Sequence, residues 1–256
     1  MSSTVQGRNI VIGSGRPKIC VPIMGKTVQE LEHDAALAAE KQPDLVEWRA
    51  DYFEEIQNTE KIREAGETIR SILEDIPVIF TIRTRKEGGM ADFSAETYLR
   101  TVSDAIKTNV MDLVDVEISH GDDISYMLIT LAHESGIKVI ASSHDFQKTP
   151  KKEEIILRLC KMQELEADIP KMAVMPKNER DVLVLLDATL SMKELHGETP
   201  VITMSMGRMG VVSRIAGEVF GSAVTFGTAG EASAPGQIDA ERLRGMLDLF
   251  EVEHCR

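Results

Sequence analysis

Short apolar segments rich in β-branched residues recur along the chain, and segments with helical spacing of apolar residues separate them. We predict strands over residues 19–22, 45–49, 78–83, 112–117, 139–144, 171–175, 201–206 and 223–226. They recur at intervals of about 30 residues, the length of one strand followed by its crossover helix. Eight such units in succession favour a closed (β/α)8 TIM barrel over an open doubly wound sheet.

Start signals support the intervening helices. Thr27 and Glu30 form a capping box, and Thr149 followed by Pro150 suggests an N-cap with proline at the first helical position. Asp239 is predicted to cap a last helix, whose apolar residues are Leu243, Met246, Leu247 and Phe250.

The segment before the first unit contains apolar residues 10–12 followed by Gly13-Ser14-Gly15. We predict that residues 1–17 include a short hairpin that closes the bottom of the barrel. No linker or shift in composition marks a second domain, so residues 1–256 are expected to form one barrel domain.

Composition narrows the classes of partner. A net charge of −13 argues against nucleic acid or an anionic membrane as partner. Residues 1–8 do not suggest a signal peptide, and no apolar run approaches the ~20 residues of a transmembrane helix. Cys20, Cys160 and Cys255 have neither metal-ligand nor disulfide-framework spacing, which favours a cytoplasmic location.

Charged residues occupy strand positions that should face inward. Residues two apart share a face, so Glu47, Arg49 and Asp51 lie opposite Trp48, which needs the helix layer. Asp115, Glu117 and Arg83 are predicted to face inward on neighbouring strands. Buried charges must neutralise one another or a ligand, so the pattern fits either a polar site or a structural ion-pair cluster.

Lys171 is the single charge in an apolar strand. A lysine at a strand start often reaches solvent. Inside a barrel beside Arg49 and Arg83, however, we expect a neutral amine that can attack a carbonyl. Since catalytic groups of barrels gather at the C-terminal strand ends, this side chain must extend upward.

His144 ends a predicted strand, where a histidine either satisfies local hydrogen bonds or transfers protons. Glu87 is placed to orient it, and by itself also fits a solvated loop acid. Arg214, beyond the seventh strand, suits a carboxylate or phosphate, or is an exposed helix arginine. Residues 227–237 are predicted to form a lid that carries Ser233 and Gln237, or a plain connection. Metal-ligand spacing and nucleotide-binding glycine motifs are absent from the sequence, so we predict no metal and no cofactor.

These segments resemble the type I 3-dehydroquinate dehydratases of the shikimate pathway, nearly from end to end. The matching stretches are Val-Glu-Trp-Arg (46–49), Phe-Thr-Ile-Arg (80–83), Lys-Glu-Gly-Gly (86–89), Ser-His-Asp-Phe (143–146), residues 168–176, Thr-Met-Ser-Met (203–206), Ser-Arg (213–214), Gly-Glu-Val-Phe-Gly (217–221) and Ser-Ala-Pro-Gly-Gln-Ile (233–238). Each is weak alone, but the order and spacing are highly specific.

The resemblance implies a hydro-lyase in which Lys171 forms an imine with the C3 ketone of 3-dehydroquinate. His144, paired with Glu87, would remove the C2 proton and assist loss of the C1 hydroxyl, a syn elimination that gives 3-dehydroshikimate. A homodimer without metal or cofactor is implied as well. The residues expected to contact substrate are Glu47, Arg49, Arg83, Met204, Met206, Arg214, Phe226, Ser233 and Gln237.

Two departures from the family pattern are Pro22, where serine is frequent, and Ser143, where asparagine is common. Two other functions stay open from the residues alone. A class I aldolase of phosphorylated sugars shares the lysine and the barrel but requires a phosphate site after strands seven and eight. A non-catalytic binding protein would never form the imine.

Overall fold

The computed structural model describes residues 4–230 and 232–249, so Phe250 and Cys255 lie outside the described residues. An antiparallel hairpin pairs β1 (Val5–Gly7) with β2 (Ile10–Ile12). Its first strand lies upstream of the apolar segment noted in the sequence, because Arg8, at φ 38°, already belongs to the turn.

The hairpin closes the bottom of the barrel, as predicted. Val5 and Ile12 are buried against the aliphatic residues at the start of the barrel strands. On the same side, Arg8 Nε donates to Asp112 Oδ1 at 2.6 Å, which ties the turn to the strand bottoms.

Eight parallel strands form the barrel, which confirms the predicted (β/α)8 fold. They are β3 (Lys18–Ile23), β4 (Leu45–Arg49), β5 (Val78–Thr81), β6 (Leu113–Glu117), β7 (Lys138–Asp145), β8 (Ile169–Val174), β9 (Ile202–Ser205) and β10 (Val224–Thr228). Strands β3 to β9 pair in chain order, and β10 pairs with β3. A two-residue strand, β11 (Ile238–Asp239), pairs in parallel with the end of β10.

Helices cover the outside of this sheet. They are α1 (Val28–Glu40), α2 (Thr59–Leu73), α3 (Ala95–Thr108), α4 (Asp122–Glu134), α5 (Lys152–Glu164), α6 (Glu179–Leu195), α7 (Val211–Ile215), α8 (Gly217–Phe220) and α9 (Ala240–Asp248). Within residues 4–230 and 232–249, no helix combines the length and apolarity that crossing a bilayer would require.

Two of the three predicted helix caps are confirmed. Thr27 caps α1 by accepting the Glu30 N–H, and Asp239 caps α9 by accepting the N–H groups of residues 241 and 242. The Thr149 cap is wrong, because α5 begins at Lys152 with Lys151 at the cap position. The Thr149 hydroxyl instead donates to the Met175 carbonyl at 3.2 Å, which fastens this loop to the end of β8.

Side-chain acceptors placed just before every second strand fix the strand bottoms. Asp44 accepts the backbone N–H of Ile19, Asp112 that of Val78, Asp168 that of Val139 and Ser222 that of Thr203, all at 2.7 to 3.0 Å. Ser222 also closes the seam between β9 and β10, where a bridge between Val201 and Ser222 takes the place of a longer ladder. These contacts set the height at which each inward-facing side chain enters the barrel.

The side chains inside the barrel change from aliphatic to charged between the bottom and the top of the barrel. Its lower part is a layer of aliphatic side chains and one thiol from successive strands, namely Cys20, Leu45, Ile79, Leu113, Ile140, Ile169, Ile202 and Val224. Above that layer the inward positions become charged. The polar groups are therefore supported from below by a dry core and open toward the C-terminal strand ends.

Candidate active site

Four side chains from alternate strands form the layer directly above the aliphatic floor. Glu47, Asp115, Lys171 and Phe226 each follow a floor residue by two positions on β4, β6, β8 and β10. Alternate strands supply each layer of a TIM barrel interior. Lys171 Nζ lies 3.0 Å from Asp115 Oδ2, 3.3 Å from Glu47 Oε1 and 4.7 Å from the centre of the Phe226 ring.

Arg49 and Arg83 line the same cavity as the lysine amine, but the direct charged contacts of the amine are with carboxylates. Its immediate charged neighbours are two carboxylates, and Arg83 lies on their far side. Arg83 is held by Asp115 at 2.9 Å and by Glu117 at 2.9 Å, so its charge is already compensated within the protein. The sequence predicted which side chains face inward, but their contacts depend on how the layers stack.

Arg49 and Asp51 also differ from the predicted arrangement. Strand β4 ends at Arg49, and Asp51 belongs to the 3-10 turn Ala50–Tyr52 rather than to the strand face. The two side chains still meet, since Arg49 donates to both carboxylate oxygens of Asp51 at 2.8 Å. This buried bidentate pair holds the guanidinium of Arg49 at the rim of the barrel.

His144 lies on β7 and pairs with Glu87, as predicted. Its Nδ1 is 2.9 Å from Glu87 Oε2, and the same oxygen accepts the His144 backbone N–H at 3.0 Å. Burial lowers the pKa of His144 well below its usual value, and the cationic Arg83 and Lys171 lower it further. Burial raises the pKa of Glu87 to about 7, with a further contribution from Glu117. The imidazole is therefore neutral at neutral pH.

The charged groups meet at a cavity whose lining combines a few polar and charged groups with apolar side chains, a composition that suits a small-molecule ligand. All of the predicted site residues except Arg214 line it. The lining residues are Glu47, Arg49, Arg83, Glu87, Gly88, His144, Phe146, Lys171, Ala173, Met204, Met206, Phe226, Ser233, Ala234 and Gln237.

Arg214 lies on α7, behind the cavity wall. Its guanidinium contacts the Met204 sulfur at 3.9 Å and donates to the Pro235 carbonyl at 3.1 Å, while its buried Nε has no hydrogen-bond partner. Burial lowers the pKa of Arg214 to about 10. Among the residues that the structure describes, no carboxylate compensates this buried cation, which lies next to both the cavity wall and the overlying loop.

The loop between β10 and β11 covers the cavity. Ser233 and Gln237 line the cavity and hold each other, since Gln237 Oε1 accepts the Ser233 N–H at 2.8 Å and its Nε2 donates to Ser233 Oγ at 2.9 Å. The Pro235 carbonyl accepts the Gly207 N–H at 3.0 Å, which anchors the loop to the segment after β9.

Sequence reasoning missed four lining residues, namely Gly88, Phe146, Ala173 and Ala234, and the contact between Asp115 and Lys171. Gly88, at φ +82°, packs so closely on the Phe146 ring that a Cβ would lie 2.3 Å from it. The paired glycines after Glu87 were the available signal for this close approach. Asp115 was expected to face inward, but its contact with Lys171 has no signature in the sequence. Of the two family departures, Pro22 pairs in register with Glu47, and Ser143 pairs with Met172.

The fold and the cavity define a (β/α)8-barrel enzyme class whose polar groups converge at the C-terminal strand ends. A family model described as type I 3-dehydroquinase matches residues 19–254. The 3-dehydroquinate dehydratase of Clostridioides difficile (strain 630) is 49% identical over 250 residues, which cover 98% of both chains. That of Listeria monocytogenes serotype 4a (strain HCC23) is 50% identical over 246 residues, covering 96% of this chain and 97% of the relative.

Solved structures agree with these relatives. The type I 3-dehydroquinate dehydratase from Clostridium difficile superposes with a TM-score of 0.95 at 49% identity, covering 98% of this chain and 99% of that chain. The enzyme from Geobacillus kaustophilus HTA426 gives 0.94 at 37% identity over the full length of both chains. The chain belongs to the type I 3-dehydroquinase family, hydro-lyases of the shikimate pathway that are characterised by a Schiff-base mechanism. Family membership excludes the aldolase and non-catalytic alternatives as the primary function.

Proposed function

We propose that this chain converts 3-dehydroquinate into 3-dehydroshikimate through an imine on Lys171. Family membership supports the reaction. One observation carries the residue roles: the buried Lys171 amine faces the same cavity as the Glu87–His144 pair. A ketone bound in that cavity meets a nucleophile and a neutral base together.

The first step joins the Lys171 nitrogen to C3 of the substrate. One proton must leave the nitrogen before attack, because an ammonium has no lone pair. Overall, the ammonium and the ketone give a protonated imine and water, so two nitrogen-bound protons leave with the carbonyl oxygen. The protonated imine withdraws electrons far more strongly than the ketone, and the neighbouring C2–H becomes acidic enough for a histidine.

His144 then acts as base and acid in turn. When Glu87 is ionised, both of its oxygens only accept, so Nδ1 of His144 carries the proton of this contact and Nε2 keeps its lone pair. Nε2 takes the C2 proton, and the electrons of that bond enter the imine to form an enamine. When the enamine electrons form the double bond between C1 and C2 and the imine is restored, the C1–O bond breaks. The hydroxyl leaves as water with the proton from His144. Use of one histidine for both transfers explains loss of the proton and hydroxyl from one face. Water then hydrolyses the product imine, which breaks the bond between C3 and the Lys171 nitrogen and releases 3-dehydroshikimate and the lysine ammonium.

The remaining lining residues bind the rest of the ring. Arg214 lies behind the cavity wall rather than on its surface, and we assign it to the substrate carboxylate because its buried charge has no acidic partner among the residues that the structure describes. Glu47, Arg49, Arg83, Ser233 and Gln237 offer charged and polar groups to the hydroxyls, and the loop over residues 227–237 acts as the lid. The ring itself contacts Met204, Met206 and Phe226. The related Clostridium difficile structure contains covalent modified comenic acid, which supports covalent chemistry on an acidic ring compound.

Mass spectrometry after borohydride reduction of the protein mixed with 3-dehydroquinate tests the proposal. We expect an adduct on Lys171 with the mass of reduced substrate or product, and no adduct in Lys171→Ala. Lys152→Ala, which alters an exposed lysine paired with Asp187, serves as the matched control and should retain the adduct. A folded wild-type protein that binds the compound yet yields no adduct would refute the imine mechanism.

We further propose that the chain forms a homodimer through α6. Leu183 is 61% exposed and lies in an apolar groove with Leu190 and Phe220. Arg180 and Asp187 at the rim of this groove carry opposite charges, which suits a two-fold contact between identical surfaces. Sedimentation velocity should show a dimer that Leu183→Glu dissociates. Leu157→Glu, on exposed α5, should not dissociate it; a monomeric wild type contradicts the proposal.

A cytoplasmic location is also proposed. Cys20 and Cys160 are both free thiols, as expected in a reducing compartment. Fractionation of cells that produce the full chain should recover it with cytoplasmic markers.

A further inference from the structure

Two carboxylates contact the Lys171 amine, but their surroundings differ. Glu47 lines the cavity and accepts a hydrogen bond from Thr81 Oγ1 at 3.0 Å. Asp115 is fully buried and does not line the cavity, so it lies beneath the space that a substrate would occupy. Glu47 is thus placed to contact substrate, whereas Asp115 reaches only the nitrogen.

Contacts on both oxygens hold Asp115 rigidly. Its Oδ1 accepts from Ser142 Oγ at 2.5 Å and from Arg83 Nη2 at 2.9 Å, which leaves Oδ2 directed at Lys171 Nζ at 3.0 Å. Because one oxygen is bound from the opposite side, the other is held at a fixed distance from the amine.

We propose that Asp115 is the fixed counter-ion that keeps the imine nitrogen protonated during the reaction. This role rests on the imine at Lys171 under the proposed function. It assigns Asp115 to the catalytic residues, because the carboxylate touches the reacting nitrogen.

The bonding changes explain why a counter-ion is required. The ammonium begins with three N–H bonds and a charge of +1. After condensation with the ketone, the nitrogen has one N–H bond and the same charge, and two protons have left as water. The remaining N–H can donate to only one of the two carboxylates. Donation to Asp115 Oδ2 retains the cation that accepts the electrons of the C2–H bond, and it releases Glu47 to the substrate.

Asp115 is suited to hold charge rather than to accept a proton. Burial opposes its ionisation, but Arg83 and Lys171 outweigh burial and hold the pKa of Asp115 well below its usual range. The carboxylate therefore stays negative while protons move above it. Proton transfer is left to His144, whose neutral form is the base.

Several other ionisable groups from the surrounding strands face the amine or share its cavity. They are Cys20, Glu47, Arg49, Arg83, Glu87 and His144. Burial raises the pKa of Cys20, with a further contribution from Glu47, so its thiol stays neutral. Strands β9 and β10 contribute the uncharged Met204 and Phe226. The carboxyl groups of Glu47 and Glu87 reach the cavity, whereas Asp115 is fully buried and does not.

Asp115→Asn tests the role, since it removes the charge and keeps the shape. We expect kcat to fall on the order of 100-fold, as when one preorganised electrostatic group is lost. The alkaline limb of the kcat profile should move to lower pH by about one unit or more, since the imine nitrogen then loses its proton more readily. The affinity for a cyclic hydroxylated carboxylate without a ketone should change less than about threefold.

Ser142→Ala is the matched control, because it removes one hydrogen bond to Asp115 and keeps every charge. Its alkaline limb should stay in place. If Asp115→Asn also keeps the wild-type limb and kcat, the counter-ion role is wrong. Loss of the borohydride adduct in the wild type would instead refute the imine itself, so the two failures are distinguishable.

A second measurement, on the wild-type protein, tests the proposal if Asp115→Asn does not fold. The wild-type protein with ¹⁵N-labelled lysine, incubated with 3-dehydroshikimate, should show an imine nitrogen that stays protonated from about pH 6 to about pH 9. A resonance that shifts to the unprotonated position below about pH 8 would overturn the proposal.

Discussion

In the pair formed by His144 and Glu87, one carboxylate oxygen contacts both the ring nitrogen Nδ1 and the backbone N–H of the histidine. Glu87 Oε2 lies 2.9 Å from His144 Nδ1 and 3.0 Å from the His144 backbone nitrogen. The backbone N–H is always a donor, and in the ionised form of Glu87 this oxygen has no proton to give, so it accepts from the ring as well. Glu87 thereby fixes both the position of the ring and the tautomer that leaves Nε2 basic, without contacting substrate at C2.

Glu87→Gln should lower kcat on the order of 100-fold while the borohydride adduct still forms at full yield. The amide keeps the size of the side chain but can present its NH2 group to Nδ1, which favours the wrong tautomer. Single-turnover kinetics would separate imine formation from proton transfer. An unchanged rate of proton transfer would show that the carboxylate does not set the tautomer.

The acid limb of kcat/KM should lie below pH 6.5, the unperturbed value for histidine. His144 must be neutral to act as base, so activity is present above its pKa and lost as pH falls through it. Burial lowers that pKa, as do Arg83 and Lys171. Burial and Glu117 raise the pKa of Glu87 to about 7, so a shallower change near neutrality should disappear in Glu87→Gln. A limb centred above pH 6.5 that persists in this variant would contradict the assignment.

Lys171→Ala should abolish detectable turnover and preserve the fold, but at reduced stability. It leaves Glu47 buried without its cation and leaves Asp115 with Arg83 as its remaining cation, a loss of about 3–5 kcal/mol. Buried unpaired carboxylates favour the neutral form, so the folded variant binds protons more readily than the unfolded chain. Its stability deficit should therefore grow as pH rises, as measured by thermal unfolding near pH 5 and pH 8. Lys152→Ala, whose exposed ion pair contributes little, should show no such trend.

Arg214→Ala should raise KM by about 10- to 100-fold with a smaller effect on kcat, as expected for loss of a charged hydrogen bond to a carboxylate. Arg208→Ala, a change at another arginine of the same β9–α9 region, is the control and should leave KM unchanged. If Arg214→Ala and wild type share one KM, the carboxylate is bound elsewhere.

Periodicity predicted the barrel and the inward faces of its strands, because alternation with a period of two is a local property. It did not predict that Lys171 contacts Asp115 rather than an arginine, since this contact joins residues 56 positions apart in the chain. Layer stacking, and hence the stagger of all eight strands, decides such contacts. The predictions of an N-cap at Thr149 and of a strand position for Asp51 were wrong for a related reason. Each side chain has a tertiary or turn partner whose contact outweighs the local sequence pattern.

Arg214 is a second residue whose contacts could not be predicted from its local sequence. Its position on α7 could be predicted, but its burial could not, because the covering atoms come from Met204 and Pro235. Family resemblance supplied a role that the residue pattern left open between a carboxylate, a phosphate and solvent.

Gly236→Ala should raise KM because it displaces the loop over the cavity. Gly236 has φ +81°, and an added Cβ would lie 2.4 Å from the Gly207 carbonyl oxygen, a backbone atom that cannot move aside easily. The loop must therefore shift away from its anchor after β9 and take Ser233 and Gln237 with it. Gly230→Ala, in the same loop but with no atom within 4 Å of its Cβ, is the matched control. Steady-state kinetics should show a raised KM for Gly236→Ala alone; equal KM values would mean that the anchored position of the loop does not contribute to substrate binding.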